Sequence, residues 1–525
     1  MRPTRPSRNS AASPERTRRP LGRVSGFGQW AGWLVALGLA VRVAVASAAG
    51  EEQLVRQAGF APDQVAYLVA DATSGRVLAL ARGDAPAPPA STAKLVTALA
   101  ALELLGPRSR LATRLYVRGA IADGVLSGEL VLEGGGDPTL DLDGLHALAL
   151  ALRRAGVREL RGRFLLADGL FSRRSEIAAG EPVGAAYNPG VGPLAVAFNR
   201  VRLLWRSGRP YTVPPLFEAE LEAVAEPGAV VGRAERSGRT VWRLGAEARE
   251  RVRALPVRDG GMQAARLLRR LAGFYGIRLP PPERGPVGAG ARLIAEQRSA
   301  PVARLVRDML WYSNNLMAEQ LGLLASRRLL AHPAADAAAS AEALLAHLGA
   351  RIPGLVRPDT GLVDHSGLSP GSRLSVRQLG LLLRYGWRCF DLPALLPASG
   401  WSGTLRRRLD GPQEALALWA KTGSLAFVRA LAGYLLDSGG RPRIVAVMVT
   451  DPLRRRAYLE AGQPPAWEEE VRDWRRRAQA LEDALIRLWL GRGAPSGGDT
   501  LQSAPPAQRI STSSTLKVRS CPASG

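Results

Sequence analysis

Strand-like alternation gives way to helical spacing early in the chain. Two short apolar runs, residues 65–70 and 77–82, flank the turn sequence 71–75, which ends in glycine. Runs of this length around a glycine turn predict a β-hairpin. Over residues 91–105 the leucines instead recur three or four positions apart, and Gly106-Pro107 follows them. This spacing and its stop signal predict a helix directly after the hairpin.

The middle of the chain has a different texture. From about residue 107 to 282, short strand-like runs alternate with turns rich in glycine, aspartate and proline. These runs are residues 111–117, 126–132, 162–166 and 201–205. One predicted helix, residues 145–155, interrupts them, and the proline-rich linker 280–285 ends the segment. The pattern indicates one or two smaller β-rich domains.

Helical spacing returns in the last third of the chain, followed by further strand-like runs. The predicted helices are residues 302–310, 313–330, 335–349 and 375–385, and the predicted strands are residues 416–420, 428–436 and 444–450. A final helix, residues 467–490, has an apolar face that needs a partner layer. Strands at both ends with an insertion between them predict an α/β (α+β) fold. We therefore predict one discontinuous domain, residues 49–106 and 295–492, interrupted by a β-rich insertion, residues 107–294.

The two ends of the chain do not fit the folded pattern. Residues 2–23 are rich in arginine, residues 30–41 are apolar, and Ala46-Ser47-Ala48 has the small-x-small form of a cleavage site. This combination predicts a signal peptide over residues 1–48, and the apolar run is shorter than the ~20 residues that span a bilayer. We expect a periplasmic protein, exported across the inner membrane, with at most peripheral membrane association. The composition of residues 493–525 predicts a disordered tail.

Charge and metal-binding residue types exclude several functions. The 525 residues carry a net charge of +25, but only three of the 71 basic residues are lysines and the arginines are scattered. A nucleic-acid partner is not expected, because binding surfaces of that kind concentrate their charge. Two cysteines and four dispersed histidines predict neither a disulfide framework nor a metal site, and we expect no cofactor.

The scarce lysines point to the candidate chemistry. Lys94 follows Ser91 by three positions, which places both side chains on one face of a helix. A lysine amine can lose its proton when buried and then act as a base, whereas arginine cannot. Lys421-Thr422-Gly423-Ser424 begins a strand-like run and offers a cation and a hydroxyl for a carboxylate. Ser313-Asn314-Asn315 stands at the start of a predicted helix, where an ordinary N-cap is the alternative interpretation.

Together the three motifs form the set Ser-x-x-Lys, Ser-x-Asn and Lys-Thr-Gly, which is typical of penicillin-binding proteins and class A β-lactamases. Longer runs extend the likeness over roughly residues 55–490. They are Pro89-Ala-Ser-Thr-Ala-Lys-Leu-Val-Thr-Ala-Leu-Ala100, Gly134-Gly-Gly-Asp-Pro-Thr-Leu140, Asp364-His-Ser-Gly-Leu-Ser369 and Ala420-Lys-Thr-Gly-Ser-Leu425. The chain resembles the D-alanyl-D-alanine carboxypeptidase/endopeptidase family, the class C low-molecular-mass penicillin-binding proteins. The resemblance implies a transpeptidase-like domain, with an antiparallel sheet flanked by helices, and a large insertion between the first two motifs.

The resemblance also implies a role for each motif residue. Ser91 would be the acylated nucleophile, Lys94 its base, and Ser313 the residue that passes the proton to the leaving group. Asn315 would hold the peptide amide. Lys421 and Thr422 would bind the terminal carboxylate beside Gly423, and the N–H groups of Ser91 and Ser424 would form the oxyanion hole. The implied partners are peptidoglycan peptides as substrates and β-lactam antibiotics as covalent inhibitors.

Alternatives remain at three points. Tyr312-Ser313-Asn314 also fits the Tyr-x-Asn pattern of class C β-lactamases and esterases. Asp364-His365-Ser366 contains the residue types of a Ser-His-Asp triad, but adjacent side chains point apart, so we interpret these residues as a turn near the site. A β-lactamase, an esterase or a non-catalytic wall-binding protein could share the fold. The sequence contains no Glu-x-x-Leu-Asn deacylation element, and its three motifs are intact.

Overall fold

The computed structural model describes residues 50–224, 231–236 and 239–492, so the predicted signal peptide and the predicted tail lie outside the described residues. The strands are β1 (Val65–Asp71), β2 (Val77–Ala81), β3 (Arg110–Ala122), β4 (Val125–Gly134), β5 (Glu159–Ala167), β6 (Arg200–Arg206), β7 (Arg209–Val213), β8 (Ala219–Ala223), β9 (Val231–Arg236), β10 (Arg239–Leu244), β11 (Ala254–Pro256), β12 (Pro282–Arg284), β13 (Arg292–Pro301), β14 (Leu418–Leu425), β15 (Val428–Leu436) and β16 (Pro442–Thr450). The α-helices are α1 (Lys94–Leu104), α2 (Leu142–Arg154), α3 (Ala248–Arg251), α4 (Gly260–Phe274), α5 (Val302–Tyr312), α6 (Asn315–Leu330), α7 (Ala337–Gly349), α8 (Val376–Cys389), α9 (Pro452–Glu460) and α10 (Glu468–Gly491). Residues 51–57 are also helical.

An antiparallel sheet in the order β14-β15-β16-β1-β2 joins the two ends of the folded chain. Strand β1 pairs with β16 along its whole length, from Val65 opposite Val449 to Asp71 opposite Arg443. Because side chains alternate along a strand, Leu68 and Tyr67 of β1 lie on opposite faces of the sheet. Leu68 packs in one apolar core and Tyr67 in another. The central strands of the sheet are therefore buried on both faces, which confirms the predicted fold class of an antiparallel sheet flanked by helices.

Different helices cover the two faces of this sheet. Helix α10 packs its predicted apolar side on one face, with Trp474 and Leu485 fully buried. On the other face lie α1 and the helices α5 to α8. Every residue of α1 from Lys94 to Leu102 is buried, so α1 is a central helix, apolar around most of its circumference except where it carries Lys94 and Thr97.

The segment between α1 and α5 forms sheets of its own. The largest is mixed, in the order β12-β5-β4-β3-β13, and helices α2 and α4 cover one of its faces. Two three-stranded sheets, β11-β6-β7 and β8-β10-β9, complete this inserted segment. Strand β13 pairs with β3, so the inserted sheet extends to Pro301 and α5 begins at the next residue. The predicted boundary at 294/295 falls inside β13, and the domain boundaries remain predictions.

Sequence patterns located most elements but not all. The predicted hairpin is confirmed by the pairing of β1 with β2. Helix α4 was not predicted, because its two initial glycines resemble one more turn in a region of short strands. The predicted helix 91–105 begins as an α-helix only at Lys94, after a 3-10 turn over Ala90–Ala93. Cys389, buried at the end of α8, is disulfide-bonded, and the sequence spacing did not predict this bond.

Candidate active site

The 3-10 turn at the start of α1 sets the distance between Ser91 and Lys94. In a 3-10 turn residues three apart eclipse one another, whereas on an α-helix they are offset. Lys94 Nζ lies 2.9 Å from Ser91 Oγ. Ser91 is half-buried and Lys94 is completely buried, so the hydroxyl faces the cleft and the amine lies beneath it. The predicted pair is thus in contact, on a tighter turn than the expected helix.

Three acceptors surround the Lys94 amine. Besides Ser91 Oγ, they are Asn315 Oδ1 at 2.8 Å and the Ser366 carbonyl oxygen at 2.7 Å. A neutral amine has two N–H groups and one lone pair. If Asn315 and Ser366 take the two N–H groups, the lone pair is directed at the Ser91 hydroxyl. This geometry is suited to a base that receives the serine proton.

Burial favours the neutral form of this amine. Desolvation lowers the pKa of Lys94 to about 7, although the nearby carboxylates of Asp364 and Glu319 act in the opposite direction. An amine with its pKa near neutrality is present in both protonation states at physiological pH. It can accept a proton in one step and return it in a later one.

The middle motif reaches the site through Asn315. Helix α5 ends at Tyr312, Ser313 adopts a left-handed backbone conformation with φ of 53°, and α6 begins at Asn315. Asn314 is the N-cap of α6, and its side chain accepts a hydrogen bond from the Met317 N–H. Tyr312 is 70% exposed, whereas Asn315 contacts Lys94. The geometry therefore favours the Ser-x-Asn frame over the Tyr-x-Asn frame.

Ser313 itself lies at the junction of α5 and α6 and is half-buried. Among the described residues its hydroxyl makes no hydrogen bond. Asn315 Nδ2 donates to the Tyr187 carbonyl oxygen at 3.0 Å, so one amide connects Lys94 to the inserted segment. Ser313 is therefore next to the network around Lys94 without being part of it.

Residues 364–369 form the turn that carries the Ser366 carbonyl. The carboxylate of Asp364 accepts hydrogen bonds from the backbone N–H groups of Ser366, Gly367 and Ser369. The His365 ring bonds Ser340 on α7, on the far side from Ser91, and burial lowers its pKa to about 3. The interpretation of these residues as a turn, rather than a Ser-His-Asp triad, agrees with this arrangement.

Strand β14 brings the third motif against the nucleophile. A Cβ atom on Gly423 would lie 2.9 Å from the Pro89 carbonyl oxygen and 3.1 Å from the Ser91 nitrogen. Only glycine lets the strand approach this closely. Gly367 makes a similar approach, because its added Cβ would lie 1.9 Å from the Ala90 oxygen. The turn that carries Ser91 is held between two glycines on distant segments.

Strand β14 lies at the edge of the sheet, which leaves alternate backbone N–H groups free of the ladder. The N–H groups of Leu418 and Ala420 point away from β15, towards Ser399 Oγ and the Pro397 oxygen. Donor direction alternates along a strand, so the Ser424 N–H points to the same side, into the cleft. It lies four positions beyond Ala420 on the strand, next to the close approach between Gly423 and Ser91. This donor is placed to act with the Ser91 N–H on a carbonyl oxygen.

The side chains of Lys421 and Thr422 extend the site along β14. Lys421 is fully buried, and its Nζ donates to the Thr422 carbonyl oxygen at 2.5 Å. Burial lowers its pKa well below the usual value, and the charges of Lys94 and Arg429 act in the same direction. Thr422 Oγ1 bonds Thr404 Oγ1 at 2.9 Å. A ligand carboxylate at this place would supply the negative charge that Lys421 lacks.

Sequence patterns missed some residues of the network. Glu319 on α6 and Arg174 in the inserted segment belong to no motif, yet Glu319 bonds the turn beneath Lys94 and Arg174 bonds Glu319. The carbonyl oxygens of Ser366 and Tyr187 contribute through the backbone, which carries no sequence signal. For Glu319 one signal was available: it is the one acid in α6, a helix that is buried over most of its length.

Comparison with known proteins places these features in a family. The sequence pattern of the D-Ala-D-Ala carboxypeptidase 3 (S13) family matches residues 50–464. A carboxypeptidase of Mycobacterium tuberculosis is 29% identical over 418 residues, which cover 76% of this chain and 79% of that protein. The D-alanyl-D-alanine carboxypeptidase of an Actinomadura species is 29% identical over 409 residues, covering 70% and 74% of the two chains.

A solved structure has the same fold. The crystal structure of penicillin binding protein 4 (dacB) from Haemophilus influenzae superposes with a TM-score of 0.65 at 22% identity, covering 76% of this chain and 93% of that one. A second structure of that protein, in complex with a β-lactam, gives a TM-score of 0.59 at 23% identity and covers 74% and 90%. At this level of identity the likeness shows the fold alone.

Proposed function

The chain belongs to the S13 family of D-Ala-D-Ala carboxypeptidases, which are serine hydrolases of the penicillin-binding type, and from this premise we propose that it cuts peptidoglycan peptides through an acyl-enzyme on Ser91. One observation carries the proposal. Lys94 Nζ lies 2.9 Å from Ser91 Oγ and has acceptors for both N–H groups of its neutral form. A hydroxyl in contact with an oriented, uncharged amine is an activated nucleophile.

In the proposed first step, Ser91 Oγ attacks the carbonyl carbon between the two D-alanines while Lys94 Nζ takes the hydroxyl proton. The backbone N–H groups of Ser91 and Ser424 stabilise the oxyanion that forms on the carbonyl oxygen. The tetrahedral intermediate then collapses. The C–N bond breaks, the proton on Lys94 Nζ passes through the Ser313 hydroxyl to the departing amine, and D-alanine leaves, while the rest of the peptide stays as an acyl ester on Ser91.

Substrate binding is assigned to the two sides of the cleft. Lys421 and Thr422 bind the terminal carboxylate, and Asn315 holds the amide of the stem peptide. In the second step water attacks the ester carbonyl, its proton passes to Lys94, and the shortened peptide is released as Ser91 regains its hydrogen. The same cycle applied to a D-amino-acid cross-link gives endopeptidase action, with another stem peptide as leaving group.

A β-lactam follows the first step but not the second. Its ring amide is opened by Ser91, and its leaving nitrogen stays attached to the adduct and obstructs the attack of water. The solved relative in complex with a β-lactam supports this part of the proposal. We further propose that the chain acts outside the inner membrane, after removal of residues 1–48. None of the described helices is long and apolar enough to cross a bilayer.

A labelled penicillin tests the acyl-enzyme directly. Wild-type protein should gain one penicillin mass, and peptide mapping should place it on Ser91. Ser91→Ala should gain none, while Ser438→Ala, which changes an exposed turn serine remote from the site motifs, should label like wild type. Intact protein that gives no adduct would contradict the proposal. Rapid turnover of the drug would favour a β-lactamase. Slow release, with D-alanine formed from a pentapeptide, is the expected result.

A further inference from the structure

Glu319 occupies an unusual place beneath the candidate base. Its side chain is completely buried on α6, where an uncompensated carboxylate would be strongly unfavourable. One oxygen accepts hydrogen bonds from the backbone N–H groups of His365 and Ser366, at 3.2 and 3.0 Å. The carbonyl of the same Ser366 accepts from Lys94 Nζ. Glu319 is thus one residue of backbone away from the amine that contacts Ser91.

The other oxygen of Glu319 is bound by the inserted segment. Arg174 Nη2 donates to it at 2.9 Å, and Arg174 Nη1 donates to the Ile177 carbonyl. The backbone of Arg174 is fixed as well, because its N–H and carbonyl both pair with Val191. The ion pair therefore joins a rigid part of the insertion to the turn that supports Lys94.

Lys94 faces few charged groups, and these define its electrostatic surroundings. On its own turn it meets the neutral Ser91, and from α6 it meets the neutral Asn315 and the Glu319 carboxylate. The 364–369 turn contributes the Asp364 carboxylate, and strand β14 contributes Lys421. The His365 ring, with its pKa lowered to about 3, is uncharged at neutral pH. Glu319 is the one of these carboxylates that an arginine neutralises.

We propose that Arg174 and Glu319 are positioning residues for the reaction, an ion pair through which the inserted segment sets the proton affinity and the orientation of Lys94. This inference rests on the proposed function of Lys94 as the base for Ser91. Neither residue touches the reacting atoms. Glu319 acts through its charge and through the Ser366 peptide, and Arg174 acts through Glu319.

The two residues act on Lys94 with opposite sign. The Glu319 carboxylate stabilises a protonated Lys94, so removing its charge lowers the pKa of Lys94. Arg174 offsets part of that charge. When Arg174 is removed, the His365 and Ser366 N–H groups still bind the carboxylate and keep it ionised, so its uncompensated charge raises the pKa of Lys94. Acylation needs the neutral amine, and its rate therefore rises with pH through the pKa of Lys94. Lys421 binds a carboxylate in its protonated form, so it governs the alkaline side of the profile.

The experiment is the pH profile of Ser91 acylation by a labelled penicillin, in the full chain and its variants. Glu319→Gln keeps an oxygen for the two backbone N–H groups and removes the charge. The acid limb of its profile, the range in which the acylation rate rises with pH, should move to lower pH by about one unit. Arg174→Gln should move the limb to higher pH by a similar amount, and Arg174→Lys should return it towards the wild-type position. Arg173→Gln is the matched control, because Arg173 pairs with Asp168 and not with Glu319. Its limb should not move.

The double variant Arg174→Gln/Glu319→Gln tests whether Arg174 acts only through Glu319. It removes both charges of the ion pair, and its limb should match that of Glu319→Gln alone. It also carries the test if Arg174→Gln does not fold. The inference is overturned if the acid limbs of the variants stay in place. It is also overturned if the limbs of Glu319→Gln and Arg174→Gln move in the same direction. A wild-type protein that forms no adduct at any pH overturns the proposed function instead, so the two failures are distinct.

Discussion

Two lysines of the site are both fully buried, but their surroundings differ. Lys94 at the start of α1 is bound by groups from three segments, which are Ser91 beside it, Asn315 on α6 and Ser366 in the 364–369 turn. Lys421 on the edge strand β14 donates to the carbonyl of the next residue. The first environment is complete without a ligand and orients a neutral amine. The second lacks a negative charge, which a substrate carboxylate would provide.

Under the proposed function, one residue type performs two different tasks. A base must be uncharged and directed at one proton, so its other N–H groups are occupied by fixed acceptors. A carboxylate-binding residue must become charged when the ligand arrives, so its pKa is depressed only while the site is empty. Burial lowers both pKa values, and the neighbouring groups determine which of the two tasks each amine can perform.

The sharpest test of this comparison is the same substitution at both positions. Lys94→Arg should slow acylation by about 10²–10⁴-fold, because arginine cannot take up the Ser91 proton. Lys421→Arg keeps a cation for the carboxylate and should lower kcat/KM by about tenfold or less. Rates of penicillin labelling and of D-alanine release measure both effects. Equal losses at the two positions would mean that the lysines do not have separate tasks.

A smaller effect is expected when the edge strand is moved away from the Ser91 turn. Gly423→Ala would place a methyl group 2.9 Å from the Pro89 oxygen, so strand and turn must separate. A displacement of about 1 Å in a reacting site costs about 10²-fold in rate. Stopped-flow acylation measures the loss.

The control for this variant is Gly273→Ala, where the added methyl meets nothing within 4 Å on helix α4. Acylation by this protein should equal that of wild type, and its stability should rise by about 0.5–1 kcal/mol. If Gly423→Ala acylates as fast as Gly273→Ala, the close approach of β14 is not needed for catalysis.

The pH dependence separates the two lysines within the unmodified protein. Because burial lowers the pKa of Lys94 to about 7, its charged, inactive form predominates below that value. Acylation should fall by about tenfold per pH unit on the acid side of 7. On the alkaline side, peptides with a free carboxylate should lose affinity as Lys421 loses its proton. An amide-capped peptide should not show this second loss. An acylation rate that does not change with pH below 7 would mean that Lys94 is not the base.

The smallest effect on activity is expected at His365. Its ring bonds Ser340 away from Ser91, so His365→Gln should leave acylation within about threefold of wild type. The ring is fully buried against Gly322, and the substitution should cost about 1–3 kcal/mol of stability through its lost hydrogen bond. Thermal unfolding and labelling, measured on one sample, give both values. Complete loss of acylation by folded His365→Gln protein would favour the Ser-His-Asp interpretation.

Local sequence signals located much of the candidate site. Lys94 and Lys421 stood out because nearly every other cation in the chain is an arginine, and arginine cannot act as a base. Motif spacing placed Ser91 one turn from Lys94. Strand alternation predicted the β1–β2 hairpin, and helical spacing predicted the apolar face of α10. Apart from the lysine count, each of these signals lies within a single helix or a single hairpin.

The remaining features depend on contacts between distant segments. Whether Asn314 or Asn315 faces Lys94 was decided by the left-handed Ser313, which sets where α6 begins. Strand β14 contacts the Ser91 turn because the antiparallel pairing from β14 through β15 and β16 to β1 brings the last described strands of the chain beside the first.

By itself the sequence determined most of the elements, the motif residues and the family they resemble. Only the tertiary structure decided which groups surround Lys94. Periodicity reports which face of an element is buried, but it carries no information on which buried faces meet. For this reason an acid such as Glu319 and a carbonyl such as that of Ser366, remote in sequence and outside every motif, became visible as neighbours of the base only in the folded chain.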